Sequence, residues 1–170
     1  MGMKIFLIGF MGTGKTHWGK RLSEKLHIPF FDLDEQIVEH EKKTINEIFA
    51  ERGEEYFRLL EKDVLHIIAG YNESFIMACG GGTPCYYNNI DYMNQQGISV
   101  WLNTSTDILF QRLAKEKSKR PLLKDLNDSQ MKEFIQKKLA DRKIYYEQAS
   151  IILEEDTLTL DRLVEKIFHA

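Results

Sequence analysis

The sequence is short of the features that mark specialised chains. Only three prolines and two cysteines occur in 170 residues. Cys79 and Cys85 are too few for a disulfide framework and match no metal-site spacing. Both are expected to be free thiols, buried or nearly so, which fits a reducing cytoplasm. No apolar run approaches the ~20 residues that a membrane-spanning helix needs. The run from Ile5 to Ile8 is too short for the apolar region of a signal peptide and reads as a first strand. Charge of one sign is not in excess either. Twenty-three basic and 26 acidic residues give a net charge of −3. That excludes a blanket attraction to nucleic acid or to an anionic membrane. His17, His27, His40, His66 and His169 show no metal-ligand spacing. There is no internal repeat and no low-complexity tract. A cytoplasmic monomer, one domain over 1–170, is the expectation.

What is present is an alternation of short apolar runs with longer helical patterns. Strands are expected at Lys4 to Ile8, Pro29 to Phe31, Phe75 to Ala78, Ser99 to Leu102 and Ile151 to Leu153. Helices are expected from near Lys15, Thr44, Glu54, Thr104, Ser129 and Thr157. Thr44 and Glu47 have the spacing of a capping box. Short strands separated by helices imply an α/β fold, a parallel sheet of five strands in a three-layer α/β/α arrangement. Such a sheet binds ligands at the carboxyl ends of its strands.

Gly9-Phe10-Met11-Gly12-Thr13-Gly14-Lys15-Thr16 satisfies G-x-x-x-x-G-K-[ST]. It follows the first strand and opens a helix, the context that this phosphate-binding loop requires. Its glycines let the backbone wrap a phosphate chain, and its N–H groups and the helix N-terminus favour the anion. Lys15 would reach the β- and γ-phosphates, and the Thr16 hydroxyl would ligate Mg²⁺. The residues from Gly12 through His17 are the expected nucleotide contacts. The motif signals a nucleoside triphosphate but does not choose an acceptor.

Four further features bear on the acceptor. Asp32 and Asp34 lie at the carboxyl end of the second strand. They suit a magnesium water shell or an attacking hydroxyl, or else a helix cap. No acid ends the third strand, so Asp32 is the expected metal-water carboxylate. In the helix from Glu54, the apolar stripe is Phe57, Leu60, Val64, Leu65, Ile67 and Ile68. Glu61 falls in the middle of that stripe, and Arg58 borders it within reach at i,i+3. In the helix from Ser129, Arg142 projects from a face made of Met131, Phe134, Ile135, Leu139 and Tyr146. An inward guanidinium demands an anion, either a structural acid or a substrate carboxylate. Gly80-Gly81-Gly82 follows the third strand and would expose N–H groups to the ligand cleft. Trp18 and Trp101 suit the core. The charged stretch from Lys115 to Asp128, with Pro121, reads as a mobile loop, and beside a phosphate loop it reads as a lid.

Together these pieces resemble the shikimate kinases. The resemblance rests on LIGFMGTGKT from Leu7, FFDLDEQIV from Phe30, INEIFAERGEEYFRLLE from Ile45, CGGG from Cys79, RPLL from Arg120 and the segment from Arg142 to Tyr146. It covers nearly the whole chain. It implies a phosphate-loop fold like that of the nucleoside-monophosphate kinases. It implies transfer of the γ-phosphoryl group of ATP to the 3-hydroxyl of shikimate, with Mg²⁺. Asp34, Arg58, Gly81 and Arg142 fall where this family holds shikimate, with Gly80, Gly82 and Glu61 around them. The region from about 34 to 62 is thereby the substrate-binding region, and 115–128 the lid. Lys15, Asp34 and Arg120 take the catalytic roles, and Arg112 resembles the adenine-side arginine. Three positions depart from the family. No proline follows Arg142, Cys79 stands where threonine or serine is common, and Glu154-Glu155-Asp156 lacks a basic residue that some members place near adenine. A GTP-binding switch is disfavoured, because neither N-K-x-D nor D-x-x-G occurs.

Overall fold

The computed structural model describes residues 2–170. Five strands form one sheet: β1 (Lys4–Ile8), β2 (Phe30–Asp32), β3 (Phe75–Ala78), β4 (Ile98–Asn103) and β5 (Ile151–Glu154). Their order is β2-β3-β1-β4-β5, and every pairing is parallel. The helices are α1 (Lys15–Leu26), α2 (Leu33–Glu41), α3 (Ile45–Tyr71), α4 (Asn89–Gln96), α5 (Thr106–Lys115), α6 (Asp128–Tyr146) and α7 (Leu160–Phe168).

Strand periodicity decides how the layers form. Successive side chains on β1 point to opposite faces. Ile5 and Leu7 pack with Trp18 and Leu22 of α1 and with Leu163 and Ile167 of α7. Phe6 and Ile8 pack the other way, with residues of α2, α3, α4 and Tyr146 of α6. A sheet buried on both faces explains why its strands are continuous apolar runs. A third cluster joins Phe10 to Leu109, Leu113, Leu123, Met131 and Ile135. It fastens α5 and α6 to the loop after β1. Leu123, within the expected lid segment, is fully buried there. That segment is therefore anchored at its middle rather than free along its length.

Several sequence expectations are corrected at this level. β2 begins one residue later than expected, and β4 and β5 extend further at their ends. The two helix starts at Thr44 and Glu54 belong to one long span, α3, with a break at Gly53 (φ 85°, ψ 174°). The Thr44–Glu47 capping box is present. Helices α5 and α7 begin later than expected, capped by Ser105 and Thr159, and α6 begins at Asp128, capped by Asn127. Helices α2 and α4 went unforeseen because each has few apolar residues and no marked apolar stripe, unlike the equally short α7. Ile67 is not part of the buried stripe of α3 but is 49% exposed. At 100° per residue it lies just beyond the edge of the arc from Leu60 to Leu65, and Ala69 is buried with that face instead.

Candidate active site

The site forms where three loops leave the carboxyl ends of β1, β2 and β3. Gly9, Gly12 and Gly14 all adopt positive φ, at 145°, 87° and 88°. A side chain at these positions would be strained, and the loop could not curl as it does. Lys15, the first residue of α1, folds back over the loop. Its Nζ donates to the Gly9 and Phe10 carbonyls, the latter at 3.1 Å. Burial lowers its pKa to about 8, and the charge of Arg142 adds to that. Asp34, Asp32 and Cys79 act in the opposite direction. An ammonium held at a cost in an enclosed site gains most when an anion arrives.

Asp32 caps α2, accepting from the Glu35 N–H at 3.2 Å, and also accepts from the Thr16 hydroxyl at 3.1 Å. The cap is therefore present, and the same carboxylate stands beside the Thr16 hydroxyl. Thr16, Asp32 and Asp34 put hard oxygen donors together beside the phosphate loop. Magnesium needs one or two such donors, keeping waters and phosphate oxygens for the rest, so this set fits it. Among the described residues no cluster of three or more His, Cys, Asp or Glu offers an all-protein cage.

Asp34 sits in the first turn of α2 facing the third strand's loop. Burial pushes its carboxyl up to about 6, with the nearby Glu61 and Asp32 charges adding to the shift and Lys15 and Arg58 opposing it. Glu61 is 1% exposed. It accepts from Arg58 Nη1 at 3.0 Å and from the Thr83 hydroxyl at 2.7 Å. Burial raises its pKa, and Arg58 and Thr83 oppose that rise. Arg58 is 9% exposed, lies over the Tyr86 ring at 4.3 Å and leaves its buried Nε without a hydrogen-bond partner among the described residues. The inward carboxylate and its arginine thus meet, as an ion pair in the core rather than on the surface.

Gly80, Gly81 and Gly82 lie between these groups. None of the three has positive φ. Each is small for another reason. A Cβ on Gly80 would lie a tight 3.2 Å from the Thr83 hydroxyl and 3.3 Å from Glu61 Oε2. On Gly81 it would meet Arg142 Nη1 at 2.8 Å, and on Gly82 it would meet Arg58 Nη2 at 2.6 Å. Arg142 is half-buried, over the Phe10 ring at 5.7 Å, and forms no ion pair among the described residues. Tyr146 donates to the Gly81 carbonyl at 2.6 Å and fixes that loop.

A cavity of about 750 Å³ runs along this arrangement. Asp32, Asp34, Gly80 and Gly81 line one end, Lys15 and Thr16 the middle, and His17, Trp18, Arg112 and Glu155 the other end. Arg120 and Glu116 stand at its wall, with Arg120 Nε and Nη2 donating to Glu116 Oε2 at 3.0 and 2.8 Å. Gly12 and Gly14 line it, whereas the Thr13 side chain is buried. Arg142, Glu61 and Gly82 do not line it, and Arg58 lines a separate hollow with Glu54, Glu55, Tyr86 and Tyr87. Cys79 reaches the cavity wall, but burial pushes its thiol pKa far up. Glu116 and Glu155 were not foreseen as site residues. Glu155 had a signal only as a departure from a family pattern, and Glu116 had none.

The fold and the loop define the class: a phosphate-loop kinase of a small acceptor. The family described as Shikimate kinase matches residues 11–170. A shikimate kinase of Bacteroides thetaiotaomicron is 44% identical over 156 residues, spanning 92% of this chain and 89% of that protein. The crystal structure of shikimate kinase from that organism superposes with a TM-score of 0.93 at 41% identity, covering 98% of each chain. Shikimate kinase from Acinetobacter baumannii, in complex with shikimate, gives 0.84 at 32% identity over 99% and 92% of the two chains. A gluconokinase from Sinorhizobium meliloti, at 16% identity and 0.55, shares the fold alone. The chain belongs to the shikimate kinase family, and its activity is the ATP-dependent conversion of shikimate to shikimate 3-phosphate.

Proposed function

We propose that this cavity, together with the two arginines beside its Gly80–Gly82 end, carries out the reaction by in-line transfer, with the roles divided along its length. The observation that carries the division is Arg142, a guanidinium without a carboxylate partner among the described residues, held over Gly81 a short way from the phosphate loop. Shikimate has one carboxylate, and planar guanidinium groups bind carboxylates by paired hydrogen bonds. Arg142 and Arg58 take that carboxylate, and the Gly80 and Gly81 backbone lies against the ring. Glu61 and Gly82 act behind them, one by orienting Arg58 and the other by leaving it room.

Asp34 then faces the acceptor hydroxyl. With its carboxyl near 6 it is ionised at neutral pH and still basic enough to accept the proton as the new bond forms. The backbone of Gly12 to His17 and the Lys15 ammonium bind the triphosphate, and Arg112 takes the nucleoside side. Lys15 and Arg120 offset charge on the transferring group, which makes positioning and electrostatics the main sources of rate. Thr16, and Asp32 through water, would hold magnesium, which when bound neutralises charge on the β- and γ-oxygens. Arg120 must leave Glu116 to reach that group, so segment 115–128 acts as a lid that excludes water. Residues 34–62 form the acceptor-binding region of a single domain. Every assigned group comes from one chain, which supports a monomeric working unit. No helix among the described residues is long and apolar enough to cross a membrane, and two free thiols suit a cytoplasmic setting.

The test is coupled ADP release with MgATP, comparing shikimate, gluconate, a nucleoside monophosphate and no acceptor. Shikimate-dependent turnover with little release otherwise is expected. Preferential turnover with another acceptor would overturn the reading of the arginine pair.

A further inference from the structure

The far end of the cavity contains a charged group that the reaction scheme does not use. Glu155, in the one-turn helix after β5, is 7% exposed. Its Oε1 accepts from Arg112 Nη1 at 2.6 Å and from the Thr104 hydroxyl at 3.2 Å, and its Oε2 accepts from Trp18 Nε1 at 3.2 Å. Both oxygens are thus committed to protein donors. A buried carboxylate so placed binds nothing itself but fixes what binds it. Arg112 Nη1 also donates to the Gly12 carbonyl at 2.9 Å. The guanidinium is therefore tied between the phosphate loop and the loop after β5, on the cavity wall.

Its place decides what it faces. A triphosphate on the loop directs its terminal group toward Asp34 and the acceptor. The nucleoside must then leave toward the opposite end, which Arg112, Trp18 and His17 line. A planar guanidinium stacks well on a heteroaromatic ring, provided that its plane is held. An untethered arginine would first have to lose rotamer freedom.

We propose that Glu155 is the positioning residue that holds Arg112 as a preformed wall for the nucleotide base. It acts on the base only, through Arg112, and is not part of the phosphate or acceptor machinery. The proposal rests on ATP occupying this cavity as described above.

Equilibrium binding of MgATP and of magnesium tripolyphosphate, which lacks the base, tests it. Glu155→Ala should weaken MgATP by about tenfold, the value of a lost charge-assisted hydrogen bond, while tripolyphosphate stays within about twofold. Glu155→Gln keeps the side-chain shape but replaces a charged acceptor by a neutral one. It should weaken MgATP by about threefold with the same selectivity, and it carries the test if the alanine variant does not fold. Combined with Arg112→Ala, neither change should add to the loss from Arg112→Ala alone. Equal weakening of both ligands, unchanged MgATP affinity, or additive losses would overturn the proposal. Wild-type turnover with shikimate is measured alongside. Its absence would count against the kinase reading, whereas the binding ratio judges Glu155 separately.

Discussion

The two glycine clusters at the site look alike in sequence and do opposite things. In the phosphate loop, Gly9, Gly12 and Gly14 are required by the backbone, since all three have positive φ. After β3, Gly80, Gly81 and Gly82 do not adopt positive φ, and a Cβ there would crowd the side chains of Thr83, Glu61, Arg142 and Arg58. In the roles proposed above, the first region would make its ligand contacts with main chain from a single stretch of sequence. The second would make them with charged side chains from α2, α3 and α6 converging on a bare loop. Phosphate binding would then be local and generic, and acceptor choice distributed and specific.

If that contrast is right, damage on the phosphate side should strike turnover regardless of acceptor. Lys15→Met removes the ammonium that folds back over the loop and should lower kcat by roughly a thousandfold, on the scale of losing a preorganised charge donor. Steady-state kinetics at saturating ATP and shikimate would show it. A loss confined to the KM for ATP would mean that Lys15 serves binding alone.

Damage on the acceptor side should separate the two substrates. Arg142→Ala should raise the KM for shikimate by about a hundredfold, in line with removing one partner of a desolvated charge pair, and leave the KM for ATP within about twofold. Equal effects on both would place Arg142 on the phosphates and erase the division between the regions.

The same contrast explains what could be read without a structure. The phosphate loop was legible because strand, glycines, lysine and helix are contiguous, and each has one physical reason to be there. The sheet was legible because strands buried on both faces are unbroken apolar runs. Glu61 and Arg142 announced themselves as charges on apolar helical faces, and Arg58 lay within reach of Glu61 at i,i+3; Thr83 and the loop after β3 lie far off in sequence, and periodicity carries no information across that distance. The three glycines after β3 were legible as a close-approach loop exposing N–H groups to the cleft. That they make room for two guanidinium groups depends on where α3 and α6 dock. Glu155 was hidden more deeply, since an acid in a charged loop has no periodic context to mark it as buried.

A pH profile tests the electrostatic side of the comparison. Asp34 titrates near 6 in the free protein, so kcat/KM for shikimate should fall as pH drops below about 6. The stability consequence has the opposite sign. The folded carboxyl holds its proton to a higher pH than the unfolded value of 3.8, so this group's contribution to stability declines as pH rises from about 4 to 6. Above that window the ionised, buried carboxyl costs up to about 3 kcal/mol. Asp34→Asn should accordingly raise the melting temperature at pH 7 while removing most activity. A lower melting temperature would show that the charge is compensated and that the acceptor end carries no stored cost.

The smallest effect is the sharpest for the glycine comparison. Gly82→Ala and Gly81→Ala place a methyl group on backbone that accepts alanine, so neither should be strained locally. The Cβ on Gly82 would crowd the Arg58 guanidinium, and that on Gly81 would crowd Arg142 Nη1. Both are the far ends of flexible side chains, so the fold can yield without unfolding. The KM for shikimate should rise several-fold, roughly 3- to 10-fold for a displaced but still present guanidinium, with kcat and the KM for ATP little changed. In Gly12→Ala, at φ 87°, the strain lies in the backbone itself. There the KM for ATP should rise and the KM for shikimate should not. If instead the alanines at 81 and 82 destabilised the protein while leaving the KM for shikimate alone, these glycines would serve the backbone after all, and the two clusters would be one device used twice.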